Sequence, residues 1–455
     1  MSERLTENKM GVMPVGKLLF NMAMPMVISM LVQALYNVVD SIYISRVSEN
    51  AVTALSLAFP IQNLQIGCAV GIGVGVNALL SKSLGERNQK MTNLAAGNGV
   101  FLAIVCMIAF MIFGFVGVRP YYEMQNTSAA TAEAGIAYSG ICCIFTQGAF
   151  LAILFERLLQ ATGRTFYTLI TQGTGAVMNI VLDPIFIFGF APLGIPAMGI
   201  AGAAVATVLG QWVAAILAVI FNLACNPDVK FSLDCFRPRK STLVPILTVG
   251  VPSIIMVAVG SVMTFGMNQI LQGFHETATG VFGVFFKLQS FFLMPLFGIN
   301  NAAISIVAYN YGARNPKRIM HALRLAVMAE LGVMIVGLMV FQFFPDVLLG
   351  FFNPSEEFLR IGRSALRIIS ACFPAAAIGI SLSASFQALG TGIYATITSL
   401  CRQLVVLLPV AYILSFFGEV TLVWWSFPVA EVVSLCITSL FFLRIYRQKI
   451  KPLSA

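Results

Sequence analysis

The segment Gly85-Glu-Arg-Asn-Gln-Lys90 recurs half a chain later as Gly312-Ala-Arg-Asn-Pro-Lys317. Further identities are separated by the same numbering difference, and these pairs are Pro25 and Pro252, Gln62 and Gln289, Gly71 and Gly298, Gln160 and Gln387, Gly163 and Gly390, and Tyr167 and Tyr394. Matches at one fixed offset without a gap indicate an internal repeat. The sequence therefore predicts a duplication, with lobes at 1–224 and 243–455 joined by a cytoplasmic linker loop at 225–242. This shift in residue number, from position 85 to position 312, is called the repeat offset below.

The composition is too apolar for an ordinary soluble protein. Of the 455 residues, 58% are hydrophobic and 10% are charged, whereas soluble domains carry roughly 25% charged residues. The nine cysteines show no metal-ligand spacing, and the formal charge of +9 is spread over short tracts instead of a basic stripe. This composition excludes a soluble enzyme, argues against a nucleic-acid partner, and predicts that membrane lipid surrounds most of the chain.

Twelve apolar stretches are long enough to cross a bilayer as helices. They lie at 18–45, 51–80, 94–118, 133–155, 165–190, 199–223, 243–271, 277–308, 319–344, 362–389, 393–417 and 421–443. Their continuous apolarity favours helices over a membrane β-barrel, so the chain is predicted to be an all-α polytopic membrane protein. The glycine-rich run Gly67–Gly75 lies inside the second stretch, and we expect it to allow close helix packing instead of phosphate binding.

The parity of the spans and the positions of the basic residues predict a topology. Six spans in each half bring both lobes into the membrane in the same direction, related by a pseudo-two-fold axis along the membrane normal, as in secondary transporters. Of 27 Lys and Arg residues, 20 lie in segments on one side, namely 1–17, 81–93, 156–166, 224–242, 311–324 and 444–455. The positive-inside rule then predicts cytoplasmic termini. The polar start lacks a cleavage site, so we expect a multi-pass protein of the cytoplasmic (inner) membrane.

Two acids interrupt the apolar spans of the first lobe. Asp40 lies in span 1 and Asp183 in span 5, and their repeat partners are Met267 and Val410. Asn37 lies three residues before Asp40, on the same helix face. A charge at the centre of a membrane helix costs ~2.5–3.5 kcal/mol on insertion scales, so such residues usually mark function. The acids therefore indicate a site in the first lobe only.

Neighbouring polar residues make this a candidate cation site. Asn179 lies four residues before Asp183 and shares its helix face, and Thr207 of span 6 offers a hydroxyl oxygen. Carboxylate, amide and hydroxyl oxygens suit Na⁺ or a shared proton. The alternative is structural, because nearby donors could satisfy each acid and Asp183, directly before Pro184, could cap a helix.

Other polar groups within the spans leave two interpretations open. Lys287 and Glu431 either form an ion pair in the second lobe or face a cavity, and Asn300 and Asn301 either line a cavity or join helices. Pro25 lies in span 1, where proline kinks a helix. It is either a hinge or a static bend.

The motifs in spans 1, 5 and 6 and in the repeated loops are Pro25 with Gln33-x-x-Tyr36-Asn37-x-x-Asp40, Asn179-x-x-x-Asp183-Pro184, Gly199-Ile-Ala-Gly202-Ala-Ala-x-Ala-Thr207, the Gly85 and Gly312 loops, and Gln160-Ala-x-Gly163 with Gln387-Ala-x-Gly390. Together they make the chain resemble the multidrug and toxic compound extrusion (MATE) family of the MOP flippase superfamily, over nearly its whole length. The resemblance implies export of bulky, often cationic or amphiphilic drugs in exchange for H⁺ or Na⁺, without a cofactor. It also implies a transporter instead of an enzyme, and we expect a monomer.

The resemblance also implies roles for single residues. It implies a coupling site for H⁺ or Na⁺ made by Asp40, Asn179, Asp183 and Thr207. It implies a first-lobe substrate cavity lined by Gln33, Tyr36 and Asn37. Pro25 matches the position at which span 1 bends. Some family branches carry coupling acids in spans 7 and 10, where this chain has only Glu276, at the outer end of span 7.

Three other functions fit less well. A lipid-linked sugar flippase, the runner-up, would need a broad basic cavity, and the deep cations here are Lys287 and Arg402. The other common duplicated facilitator fold would carry Gly-x-x-x-Asp-Arg where this chain reads Gly85-Glu-Arg-Asn. A membrane-embedded enzyme would need clustered His, Asp or Ser groups, and His275 and His321 lie far apart in the sequence.

Overall fold

Helices make up almost all of the fold. The computed structural model describes residues 8–45, 47, 49–125, 127–190, 192, 194–274, 276–352 and 355–454. The α-helices are α1 (Lys9–Val12), α2 (Val15–Ser45), α3 (Glu49–Gly85), α4 (Gln89–Val116), α5 (Val118–Glu123), α6 (Ala129–Ile144), α7 (Gln147–Ala161), α8 (Thr165–Phe188), α9 (Ile200–Cys225), α10 (Lys240–Gln272), α11 (Glu276–Gly312), α12 (Pro316–Phe343), α13 (Pro345–Gly350), α14 (Glu356–Ser370), α15 (Phe373–Ala388), α16 (Gly392–Leu400), α17 (Leu408–Ser415), α18 (Val420–Val423) and α19 (Ser426–Ile445). Shorter helical segments are the 3₁₀ turns Leu233–Phe236 and Lys451–Ser454 and the π-helical stretches Cys401–Leu407 and Tyr446–Ile450.

Long apolar helices provide the membrane spans. In the part of the chain that the structure describes, ten helices are long and apolar enough to cross a membrane. Two more pairs are bent at short breaks, α6 with α7 by 46° and α14 with α15 by 47°, and they raise the number to twelve if each pair is one span. The prediction of an all-helical polytopic membrane protein is confirmed.

The duplication is visible in the backbone. Helices α4 and α12 begin and end one repeat offset apart, and so do α5 and α13, which follow them. Asn88 and Asn315 cap α4 and α12, and each side chain accepts a hydrogen bond from the backbone amide three residues later. Gly163 and Gly390 both have positive φ, at 81° and 71°. The repeat seen in the sequence is therefore a repeat of local structure.

The chain divides into two compact units, residues 28–254 and residues 1–27 with 255–455. The core of the unit 28–254 gathers apolar side chains of α3, α4 and α7 around the buried Phe150 and Leu154. The other unit has an aromatic core in which Phe282 stacks on Trp424 with ring centroids 6.3 Å apart. The boundaries of these units lie inside α2 and α10 and differ from those of the repeat. The lobes at 1–224 and 243–455 and the linker at 225–242 therefore stay a prediction.

Glycines of α3 let α10 approach closely within the unit 28–254. A Cβ atom at Gly71 would lie 2.4 Å from Ile254 Cγ1, and one at Gly75 would lie 2.2 Å from the carbonyl oxygen of Ile246. Small residues permit such close backbone contact between membrane helices. The predicted packing role of the run Gly67–Gly75 is confirmed.

One predicted cytoplasmic segment begins inside a helix. The sequence places 156–166 in a loop, but Glu156 and Arg157 lie in α7 and are buried, at 4% and 7% exposure. Glu156 accepts hydrogen bonds from Thr171 Oγ1 and Gln172 Nε2, both at 2.8 Å. Buried charges persist where hydrogen bonds satisfy them, so the apolar stretch 133–155 ended this span too early.

Candidate functional site

The polar centre of the unit 28–254 is built on the neighbouring helices α8 and α9. Asp183 is fully buried and Asn179, one helical turn before it, is 3% exposed. In the orientation that satisfies its neighbours, the Asn179 amide nitrogen donates to Asp183 Oδ2 at 3.2 Å. Its oxygen accepts from both the hydroxyl and the backbone amide of Thr207, each at 3.2 Å. Asn179 therefore bridges the carboxylate of α8 and the hydroxyl of α9.

A proline within α8 shapes the backbone beside this acid. Pro184 lies inside α8 and has no amide hydrogen, so the carbonyl of Ile180 lacks the helical hydrogen bond that it would otherwise accept. Asp183 lies five residues before the end of α8 at Phe188. The structure therefore places Asp183 within a helix, where it meets the Asn179 amide, instead of at a helix cap.

Asp40 of α2 belongs to the same centre. Its side chain is half-buried, and its Oδ1 is buried without a hydrogen-bond partner among the residues that the structure describes. The charges of Asp40 and Asp183 act on each other. Because an unpartnered buried carboxylate oxygen is unfavourable, this oxygen is suited to receive a proton or a cation.

Two tyrosines accompany the acids. The Tyr36 hydroxyl hydrogen-bonds Gln33 and lies within electrostatic reach of both carboxylates. Tyr138 of α6 lies within reach of Asp40 and accepts a hydrogen bond from Gln62 Nε2 at 3.0 Å. Tyr36, predicted to line the cavity, therefore lies near both acids, and Gln33, also predicted to line it, contacts Tyr36. The side chain of Asn37, the third predicted cavity residue, lies outside the described residues.

The donor atoms of this centre define its chemistry. They are carboxylate, amide and hydroxyl oxygens, which are the ligands of hard cations, whereas softer metals prefer nitrogen and sulfur. Two interacting carboxyl groups can also hold one proton between them and titrate as a unit. The arrangement can therefore bind either Na⁺ or H⁺.

The corresponding positions of the other unit carry apolar side chains, Met267 and Val410. Elsewhere in that unit, Arg402 Nη1 donates to Glu431 Oε1 at 2.8 Å, and the two side chains are 27% and 15% exposed. Of the two interpretations of Lys287 and Glu431, the ion pair between them is wrong, because Glu431 is held by Arg402 and Lys287 is exposed on α11. The pattern of spans could not show which of the two cations the acid would meet.

Asn300 and Asn301 lie side by side in α11, at 7% and 8% exposure. In the described part of the chain, Asn300 Oδ1 has no hydrogen-bond partner, and the backbone carbonyl of Asn301 accepts from the Ser305 hydroxyl at 3.2 Å. Their burial leaves both predicted roles open, because a helix contact and a closed cavity wall both bury an amide.

One known protein family matches the chain twice, once in each half of the repeat. The MatE family model matches residues 25–185 and again residues 252–413, which together are more than half of the chain. The chain belongs to the MatE family. The two matches begin one repeat offset apart, in register with the helices α4 and α12. MatE is a family of transporters, so the chain is a membrane transporter and not an enzyme.

Individual family members align along nearly the whole chain. The multidrug export protein MepA of Staphylococcus saprophyticus is 23% identical over 420 residues, which are 92% of this chain and 91% of that protein. MepA of Staphylococcus aureus strain N315 is 24% identical over 429 residues, 93% of this chain and 92% of that protein. A solved outward-facing multidrug resistance MATE transporter of the MOP superfamily is 24% identical, with a TM-score of 0.91 and 100% of both chains covered. This likeness confirms the MATE fold.

Sequence reasoning missed part of the polar centre. Gln62 shares the repeat register with Gln289, and that match was a usable signal that the residue mattered. Tyr138 has no such signal, because a single tyrosine in an apolar span does not show which helix it faces. Its position near Asp40 depends on the packing of α6 within the unit.

Proposed function

We propose that this MatE protein exports bulky, often cationic or amphiphilic drugs across the cytoplasmic (inner) membrane in exchange for H⁺ or Na⁺. The observation that carries the proposal is the placement of Asp40 and Asp183 in one oxygen-rich centre of a single unit. Ionisable residues at membrane depth are unfavourable and occur mainly where they serve transport. The name of the MepA relatives, multidrug export protein, supports drugs as the cargo.

The two acids couple the export of drug to the entry of the ion. When both are ionised, their charge in a low-dielectric pocket attracts a cationic drug, and the cavity residues Gln33, Tyr36 and Asn37 contribute to its binding. When a proton or Na⁺ enters, it binds the centre formed by the acids with Asn179 and Thr207, and the pocket loses its attraction for the drug. Drug and ion therefore compete for the same negative charge, and this competition couples their opposite movements.

Pro25 provides the hinge in this proposal. It removes a helical hydrogen bond inside α2, and the boundary between the two compact units crosses α2 only two residues later, between Val27 and Ile28. Pro252, its repeat partner, precedes the boundary between Ile254 and Ile255 by the same distance. A proline at each crossing supports bending of α2 when the charge on Asp40 changes.

The energy available from one ion is sufficient for useful export. One elementary charge that crosses 100 mV provides ~2.3 kcal/mol, which holds a monovalent cationic drug about 50-fold below the internal concentration that it would reach by passive distribution. The proposal needs no ATP-binding site. It places both termini in the cytoplasm, on the side where most Lys and Arg residues lie, and it takes the transporter as a monomer, since one chain supplies the whole centre.

Efflux of a fluorescent cationic dye from cells or inverted vesicles tests the proposal. We expect Asp40→Asn and Asp183→Asn to abolish ion-driven efflux while the protein remains in the membrane. Asp234→Asn is the matched control, because Asp234 is 77% exposed in the same unit and pairs at the surface with Arg237. Undiminished, ion-dependent efflux by both acid variants would overturn the proposal.

A further inference from the structure

A second acid is buried deep in the unit formed by residues 1–27 and 255–455. Glu330 is the fifteenth residue of the 28-residue helix α12, about 20 Å from either end at the usual helical rise. Its side chain has no exposure to solvent. This glutamate therefore lies at mid-membrane depth, in a unit that contains neither Asp40 nor Asp183.

Glu330 occupies a place in the core-facing stripe of its helix. Buried residues recur along α12 at three- and four-residue spacing, and they are Leu323, Ala326, Glu330, Met334, Gly337 and Phe341. Apart from Glu330, this stripe is apolar. A carboxyl group here faces the packed interior of its unit, where lipid headgroups and water cannot reach it as they reach a side chain at a helix end.

Both carboxyl oxygens of Glu330 lack a hydrogen-bond partner among the described residues. The polar group that faces them is the Ser381 hydroxyl of α15, which is 2% exposed and also lacks a partner there. In the same part of the chain, no charged side chain on α11, α13, α14 or α15 acts on the carboxyl. Two buried polar groups thus face one another without a completed hydrogen bond.

The repeat shows that the fold does not need this polar pair. The residues one repeat offset earlier are Ala103 of α4 and Leu154 of α7, which are both 1% exposed and belong to one apolar core cluster. An apolar contact fills the same place in the other unit. Since burying a carboxyl is unfavourable where an apolar pair would suffice, the acid indicates a function beyond packing.

We propose that Glu330 and Ser381 form a second proton-binding site of the transporter. An ionised carboxylate without a counter-charge is strongly disfavoured in a dry interior, whereas the neutral acid has one O–H that Ser381 Oγ can accept. Proton release to water leaves the carboxylate, so release requires a rearrangement that opens this part of the unit. The proton is held in one state of the cycle and given up in another.

Infrared difference spectroscopy of the purified transporter in lipid nanodiscs tests the site directly. We expect a carbonyl band of a protonated carboxyl group that Glu330→Gln removes and that Asp40→Asn with Asp183→Asn leaves in place. Ser381→Ala keeps the acid but removes its acceptor, so it should shift this band. If wild type and Glu330→Gln give the same carboxyl difference spectrum, Glu330 neither takes up nor releases a proton and the proposal fails.

The role of that proton in export rests on the proposed function, and a second measurement separates the two. The double variant Glu330→Ala with Ser381→Leu installs the apolar pair of the other unit and should fold at least as stably as wild type. We expect it to bind dye but to exchange one proton fewer for each dye molecule, so that the steady dye gradient falls about tenfold at a pH difference of about one unit. An unchanged gradient together with a band that never responds to pH would show a purely structural acid and overturn the inference. Loss of ion-driven export in wild type itself would instead overturn the proposed function.

Discussion

The backbones of Arg87 and Arg314, one repeat offset apart, adopt the same left-handed conformation, with φ of 55° and 53°. Each arginine follows a long helix, α3 or α11, and precedes the asparagine that caps the next helix. An L-residue other than glycine is strained there, because its Cβ crowds the carbonyl oxygen. The duplicated loop has thus kept the same strain in both halves.

Replacing either arginine by glycine should stabilise the transporter. We expect Arg87→Gly and Arg314→Gly each to raise the free energy of unfolding by about 0.5–1 kcal/mol, because glycine adopts positive φ without strain. Thermal unfolding in detergent measures the effect. Arg237→Gly is the control, since Arg237 has a φ of −66° and should be unchanged or destabilised. Equal shifts in all three variants would contradict the account.

The close contact of α3 with α10 should be sensitive to a single methyl group. Gly75→Ala would place its Cβ 2.2 Å from the Ile246 carbonyl oxygen, and we expect it to lower the unfolding free energy by about 1–3 kcal/mol. Gly140→Ala is the matched control, because a Cβ at this position of α6 would meet no atom within 4 Å. An equally large stability loss in Gly140→Ala would contradict the claim that close contact with α10 makes Gly75 sensitive.

The Arg402–Glu431 ion pair should contribute to stability only as a pair. Because both side chains are mostly buried, Arg402→Gln and Glu431→Gln should each cost about 1–3 kcal/mol of unfolding free energy by leaving one charge unpaired. The double variant should lose less than the sum, with a coupling energy of about 1 kcal/mol in a double-mutant cycle. Additive losses would mean that the two side chains do not interact in the folded protein.

Much of the fold could be predicted from the sequence, because a bilayer imposes long apolar helices and the repeat supplies a second copy of many features. The positions of Asn179 and Asp183 on one helix face followed from helical periodicity alone. Thr207 was harder, since its place beside Asn179 depends on how α8 packs against α9. The spacing of residues along one helix is therefore predictable, whereas contacts between helices need the structure.

The errors have the same cause. The sequence offered both Lys287 and Arg402 as partners for Glu431. The packing of α19 against the π-helical stretch Cys401–Leu407 determines that Arg402 forms the ion pair. Glu156 and Arg157 looked like loop residues because they are charged, yet side chains of α8 satisfy Glu156 inside the unit. A charge pattern locates a helix end only when no partner on another helix can compensate the charge.

The Thr207 hydroxyl should contribute to ion affinity. Thr207→Val keeps the shape of the side chain but removes the oxygen that contacts Asn179, and we expect about tenfold weaker affinity for the coupling ion, or ~1.4 kcal/mol. Thr207→Ser retains the oxygen and should stay within about twofold of wild type. The ion concentration that gives half-maximal efflux measures both variants. Equal affinity of the valine and serine variants would remove Thr207 from the coupling site.

Ion movement that accompanies drug export tests the central claim most directly. Proteoliposomes are loaded with a cationic dye, an inward gradient of either H⁺ or Na⁺ is imposed in separate experiments, and dye export and ion entry are recorded together. We predict that one of the two ions enters as dye leaves in wild type and in Asp234→Asn, and that Asp183→Asn abolishes both movements. Ion-coupled dye export by Asp183→Asn at the wild-type rate would contradict the claim that this carboxylate couples the two.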